Sequence, residues 1–101
     1  MHFTINGILW KVKFVKSNSR KLIRSDGSST LGVTDARTRT VYVVKDLGDK
    51  MLKKVLCHEI CHCVCFSYHI YMPIKTEEIV ADWIATYGRE VFYVLDSVCP
   101  L

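Results

Sequence analysis

The stretch from Lys50 to Phe66 constrains this chain more than any other, because it has helical composition and carries His58 and His62 four residues apart. On a helix, positions i and i+4 share a face, with Cβ atoms roughly 5–6 Å apart. Two imidazoles so placed can close on one zinc ion at Zn–N distances of about 2.0–2.1 Å. Glu59 is rotated by about 100° from His58. That turns it away from the shared ligand position and toward a metal-activated water, where a carboxylate serves as general base. Two histidines on an amphipathic helix can also arise by accident. The segment gains meaning from its neighbours, a strand of β formers before it and an acidic helix after it.

A catalytic zinc usually has three protein ligands and one water, so two histidines leave the site short. A second helix is predicted to begin near Ile74 to Thr76 and to run toward Val94. With Thr76 as N-cap, Glu77 and Glu78 fall in the first turn, where the helix dipole favours them. Glu78 is the expected third ligand. Glu78 and Asp82 are four apart and face the same way, so Asp82 can accept a hydrogen bond from the distal nitrogen of His58 or His62 and fix its tautomer. Glu77 is the alternative ligand, and dipole compensation is the reading of Glu77 that needs no metal.

The first half of the chain reads as strands. Asn6-Gly7 is a two-residue hairpin signal between Phe3–Ile5 and the alternating run from Ile8 to Val15. Ile8, Trp10, Val12 and Phe14 share one face of that run, and Lys11 and Lys13 share the other. Ser17 to Thr30 is polar, a loop with one short turn around Lys21–Ile23. Leu31 to Thr34 is a short strand, Asp35 to Thr38 turns it, and Arg39 to Val44 returns. Asp46 to Asp49 breaks the pattern and offers an aspartate as N-cap for the metal helix. The expected fold class is α+β. A small N-terminal antiparallel sheet is followed by the metal-binding helix and the acidic helix, in a single domain over residues 1–101.

Composition narrows the classes that remain. The chain has 101 residues, half of them hydrophobic, which suits a globular domain with a modest core. No apolar run approaches the ~18–20 residues of a membrane span, and the N-terminus lacks a basic-then-apolar leader pattern. The net charge of +4 is uneven: residues 1–45 hold nine Lys/Arg and two Asp/Glu, residues 46–101 five and eight. The basic half reads as a solvated face rather than a nucleic-acid site, since no aromatic-basic motif accompanies it. Five cysteines cannot all pair within one chain. Cys57, Cys61, Cys63 and Cys65 share one helix, and reduced thiols in the cytoplasm are the simplest reading, with Cys57, Cys61 and Cys65 lining the helix's buried side.

His58-Glu59-Ile60-Cys61-His62, followed by Glu77-Glu78-Ile79-Val80-Ala81-Asp82-Trp83-Ile84-Ala85, resembles the gluzincin pattern of HExxH with a later ExxxD. It is most similar to the ImmA/IrrE-type metallopeptidases of phages and mobile elements, over roughly residues 31–92. The resemblance implies a zinc peptidase with a protein substrate, such as a repressor-type regulator. It also implies an edge strand, Thr40 to Val44, that would hold an extended peptide above the metal. Cys61 stands where the family commonly has Gly, and Asp82 where it has Asn. A metzincin layout is excluded, because Tyr68 stands where its third His belongs and Cys65 where it needs Gly.

The expected chemistry is hydrolysis of peptide bonds, with zinc on His58, His62 and Glu78 and with Glu59 as general base. Tyr68, His69, Tyr71 and Tyr87 are candidates for stabilising the oxyanion, with packing or surface roles as their simpler readings. Cys99 is either a stray residue near the terminus or a tail thiolate that fills the open metal position. The rival function is a non-enzymatic zinc-binding domain that binds a protein or nucleic-acid partner. In a closed structural site, Glu59 would have no task.

Overall fold

The computed structural model describes residues 1–101 and has an α+β fold, with a four-stranded sheet in the N-terminal half and helices after it. Strands β1 (His2–Ile5) and β2 (Ile8–Val15) form a hairpin in which Ile5 pairs with Ile8. Asn6 and Gly7 both take positive φ, 49° and 75°, the backbone that a tight hairpin turn requires. A 3-10 turn, Arg20–Leu22, follows. Then come β3 (Gly32–Asp35), β4 (Thr40–Val44) and helix α1 (Asp49–Ser67). Helix α2 (Ile74–Trp83) continues through a π turn, Ile84–Gly88, into α3 (Arg89–Val98). No helix is long and apolar enough to cross a membrane.

The strand order is β1-β2-β4-β3, and the sheet is mixed rather than antiparallel throughout. β1–β2 and β3–β4 are antiparallel, but β2 and β4 run parallel, with Val12 opposite Val41. A parallel pair needs a crossover of a dozen or more residues. The polar segment after β2 is that crossover, and it carries Leu22 across the face of the sheet that α1 leaves free. Leu22 packs there on Tyr42 and Val44, while Val41 and Val43 face the core with Trp10, Val12 and Cys63.

β4 is therefore buried on both faces and along its whole length. It is an interior strand, and the expectation that Thr40 to Val44 forms the edge is corrected. The edge beside α1 is β3. The same packing corrects the cysteines. Cys63 is the buried thiol that meets the sheet, whereas Cys57, Cys61 and Cys65 are only half-buried.

Helix α1 lays Leu52, Val55 and Leu56 against the sheet core, on the i, i+3, i+4 spacing of one face. Its C-terminal end is pinned by the hairpin. Asn6 Nδ2 donates to the Ser67 carbonyl at 3.0 Å, and Trp10 Nε1 donates to Ser67 Oγ at 2.9 Å. The α2 start at Ile74 falls within the expected range, but the N-cap residues differ from expectation. Gly48, not an aspartate side chain, precedes α1, and Pro73, not Thr76, precedes α2. Pro73 holds an extended backbone and its carbonyl accepts from the Glu77 N–H, so α2 begins two residues before Thr76.

Candidate metal centre

Helices α1 and α2 pack so that the histidine face of one meets the acidic face of the other. His58 Nε2 and His62 Nε2 lie 3.2 Å apart. Glu78 bridges them, with Oε2 at 3.3 Å from His58 Nε2 and Oε1 at 2.8 Å from His62 Nε2. One donor atom from each of the three residues falls within 4.8 Å of the others, so the group could hold a metal ion. Two donors at about 2.0–2.1 Å on a tetrahedral ion lie roughly 3.3 Å apart, close to the His58–His62 and His58–Glu78 spacings, while the His62–Glu78 spacing is tighter.

The outer nitrogens explain why the inner ones converge. His58 Nδ1 pairs with Asp82 Oδ1 at 2.8 Å, and His62 Nδ1 pairs with Glu77 Oε2. Nδ1–H donation to these carboxylates is the tautomer that leaves both Nε2 atoms able to bind one cation. Four carboxylates surround two imidazoles in this corner, although the chain as a whole carries a net charge of +4. The local field therefore favours a cation.

Glu77 therefore supports a histidine rather than joining the three-donor group, a role that the sequence reading did not assign to it. Its side chain is 17% exposed, against 72% for Asp82. Supporting carboxylates of this kind are worth about 10–100-fold in metal affinity. Glu77→Gln is expected to weaken binding of a metal ion near the top of that range, and Asp82→Asn near the bottom, where water can replace the lost partner. Competition titration against a chelating dye measures both.

Glu59 is only 6% exposed. It lies where α1 meets β3, and Thr34 Oγ1 donates to its Oε1 at 2.8 Å. Its Oε2 is 3.9 Å from His58 Nε2 and has no Lys or Arg beside it. One carboxylate oxygen is thus anchored and the other faces the donor group. Thr34 was missed in the sequence, where it read only as a β former.

Gly32 was missed as well. A Cβ there would lie 2.8 Å from Val55 Cγ1 and 3.1 Å from Glu59 Cγ. Only glycine lets β3 approach α1 so closely. Gly32→Ala is expected to destabilise the fold by about 1–3 kcal/mol through overpacking and to displace Glu59. Urea denaturation measures the first effect.

A cleft of about 570 Å³ opens on this cluster. β3 forms one wall through Gly32, Val33 and Thr34, and Phe66, Ile70 and Tyr71 form an apolar end. Of the oxyanion candidates only Tyr71 lines the cleft, with its hydroxyl 3.2 Å from His69 Nδ1. Tyr68 is exposed outside it, and Tyr87 packs beside Trp83. Cys99 is exposed and does not line the cleft.

No cysteine joins the donor group. Burial, with Cys57 and Cys65 alongside, pushes the Cys61 thiol up to about 11, and burial pushes Cys63 up to about 12. Burial and the nearby Glu77 also raise Cys65. These thiols stay protonated at pH 7.

Comparison with protein families, with curated proteins and with solved structures finds no match to this chain.

Proposed function

We propose that this chain is a zinc-dependent peptidase of gluzincin-like type. The observation that carries the reading is the pairing of a three-donor group with a buried carboxylate whose free oxygen faces it. Burying a carboxyl group with no Lys or Arg beside it costs free energy, and a role in chemistry accounts for keeping Glu59 there.

Zinc, when held by His58, His62 and Glu78, supplies a Lewis acid that acidifies water and polarises a carbonyl. Glu59 takes the proton from the attacking water through its free oxygen and passes it to the leaving amine, while Thr34 holds the carboxylate in place. The free edge of β3 lines the cleft, and an extended peptide would pair with it by strand addition. The same donors also suit Fe(II). A buried base beside the open face favours hydrolysis and hence zinc.

The substrate in this proposal is a peptide or protein. Through the resemblance to ImmA/IrrE-type enzymes, a repressor-type regulator of a phage or mobile element is the proposed target. A cytoplasmic setting belongs to the same reading, supported by five free thiols.

The test is metal analysis of the purified chain together with cleavage of an unfolded protein such as casein. One zinc per chain is expected, with cleavage that stops on chelation and returns with zinc. Bound zinc with no cleavage would favour the non-enzymatic zinc-binding domain. No metal after metal-replete purification would overturn both readings.

A further inference from the structure

Helix α3 has no buried residue and makes its main contacts only with the π turn that precedes it. It nonetheless has a strongly one-sided sequence. Val91, Leu95 and Val98 follow the alternating four- and three-residue spacing of a helix-pairing seam. Phe92 and Val94 flank that seam, while Arg89, Glu90, Asp96 and Ser97 lie on the opposite face. Val91, Phe92, Val94, Leu95 and Val98 are each between 49% and 75% exposed. Monomeric proteins rarely leave a contiguous apolar face of this kind uncovered.

The geometry shows how the face arises. The α2 and π-turn segments place Ala81 and Ala85 in buried positions, and α1 is their main helical neighbour. Because α1 begins at Asp49, the helix that starts at Ile74 outruns its partner, and the apolar face continues past the domain body.

We propose that α3 pairs with α3 of a second copy of this chain, as an antiparallel two-helix seam that crosses midway between Val91 and Leu95. Three arguments choose that occupant. The seam spacing is that of a helix meeting another helix. No charge lies in the seam, so pairing desolvates no ion. Covering the exposed parts of Val91, Phe92, Val94, Leu95 and Val98 on both chains, with Tyr87 at the rim, removes at most about 1,000–1,200 Å² in total, the low end for a specific interface and hence a reversible dimer. The antiparallel sense places the two domain bodies at opposite ends of the seam and sets the helix dipoles favourably. Both clefts stay open, because the metal cluster lies on α1 and the first part of α2.

Sedimentation equilibrium on the full chain tests this. A reversible species of twice the 11.6 kDa chain mass is expected. Leu95→Glu and Val98→Glu each place a charge in the seam and should raise the dimer Kd by at least about tenfold. Tyr93→Glu, on the polar side, should leave it unchanged. Val98 lies in the last helical turn, so that variant keeps its fold, which far-UV circular dichroism checks. In the antiparallel pair the two Cys99 residues stand about 20 Å apart, so mild oxidation should not cross-link dimers through them. A wild-type chain that is monomeric at every concentration, or dimers indifferent to both seam variants, would overturn the proposal. Rapid Cys99 cross-linking would overturn the antiparallel sense. A monomer that co-sediments with anionic phospholipid vesicles would assign the face to a bilayer instead.

Discussion

On the proposed peptidase reading, replacing Glu59 by Gln is expected to lower peptide-bond cleavage by a factor of about 10²–10⁴ without loss of the metal. That range is what a positioned general base contributes, equivalent to roughly 3–5.5 kcal/mol of transition-state stabilisation. The substitution is nearly isosteric. The Gln carbonyl can still accept from Thr34 Oγ1, which now donates to Glu59 Oε1 at 2.8 Å. The three-donor group does not include Glu59, so metal content should stay the same. Stability should hold or rise, because a carboxylate that is only 6% exposed is exchanged for a neutral amide. A purely structural Glu59 predicts the opposite pattern, with stability falling and activity following it. The decisive result is therefore the pair of measurements, cleavage rate and melting temperature, on the same preparation. Cleavage within a few-fold of wild type would remove Glu59 from the chemistry, whatever the metal does.

What the sequence revealed about this site is what depends on local geometry. His58 and His62 share a face because helix periodicity puts them there. Glu78 and Asp82 share one for the same reason, and both reach the expected partners. Asn6-Gly7 makes its turn because its backbone preference is intrinsic.

What was hidden depends on how distant segments meet. Thr34 and Gly32 matter only because β3, rather than β4, lies against α1. The parallel pairing of β2 and β4 that puts β3 there follows from the path of a polar crossover. A signal was nevertheless present in β4. Thr40-Val41-Tyr42-Val43-Val44 is apolar at consecutive positions rather than alternating. That is the pattern of a strand covered on both faces, whereas the polar Gly32-Val33-Thr34-Asp35 suits an edge. Glu77 is a similar case. One residue of helix register decides between metal ligand and histidine support, and only the packing of α2 on α1 sets that register.

Trp10→Ala is expected to cost about 3–5 kcal/mol of folding stability, the range for removing a large buried aromatic side chain. Trp10 is fully buried in the main core cluster, and its ring meets Phe66 edge-on with centroids 5.6 Å apart. The loss also orphans Ser67 Oγ, which is buried and receives the Trp10 Nε1–H at 2.9 Å. Domains of this size have about 5–15 kcal/mol in total, with short chains near the lower end, so the variant should lie close to its unfolding midpoint in water.

Metal binding offers a way to read the result. Zinc that binds only the folded state adds about 4 kcal/mol at a free concentration 1,000 times its Kd. Saturating zinc should therefore restore most of what the substitution removes and raise the urea midpoint accordingly. Trp10→Phe, which keeps an aromatic ring but loses the N–H, should cost only about 1–3 kcal/mol and recover fully. The physical link is α1 itself, whose C-terminal end is pinned by Trp10 and Asn6 and whose middle carries His58 and His62. If Trp10→Ala unfolds at the same urea concentration with and without zinc, the donor group does not bind zinc as part of the folded state, and the proposed metal centre is overturned.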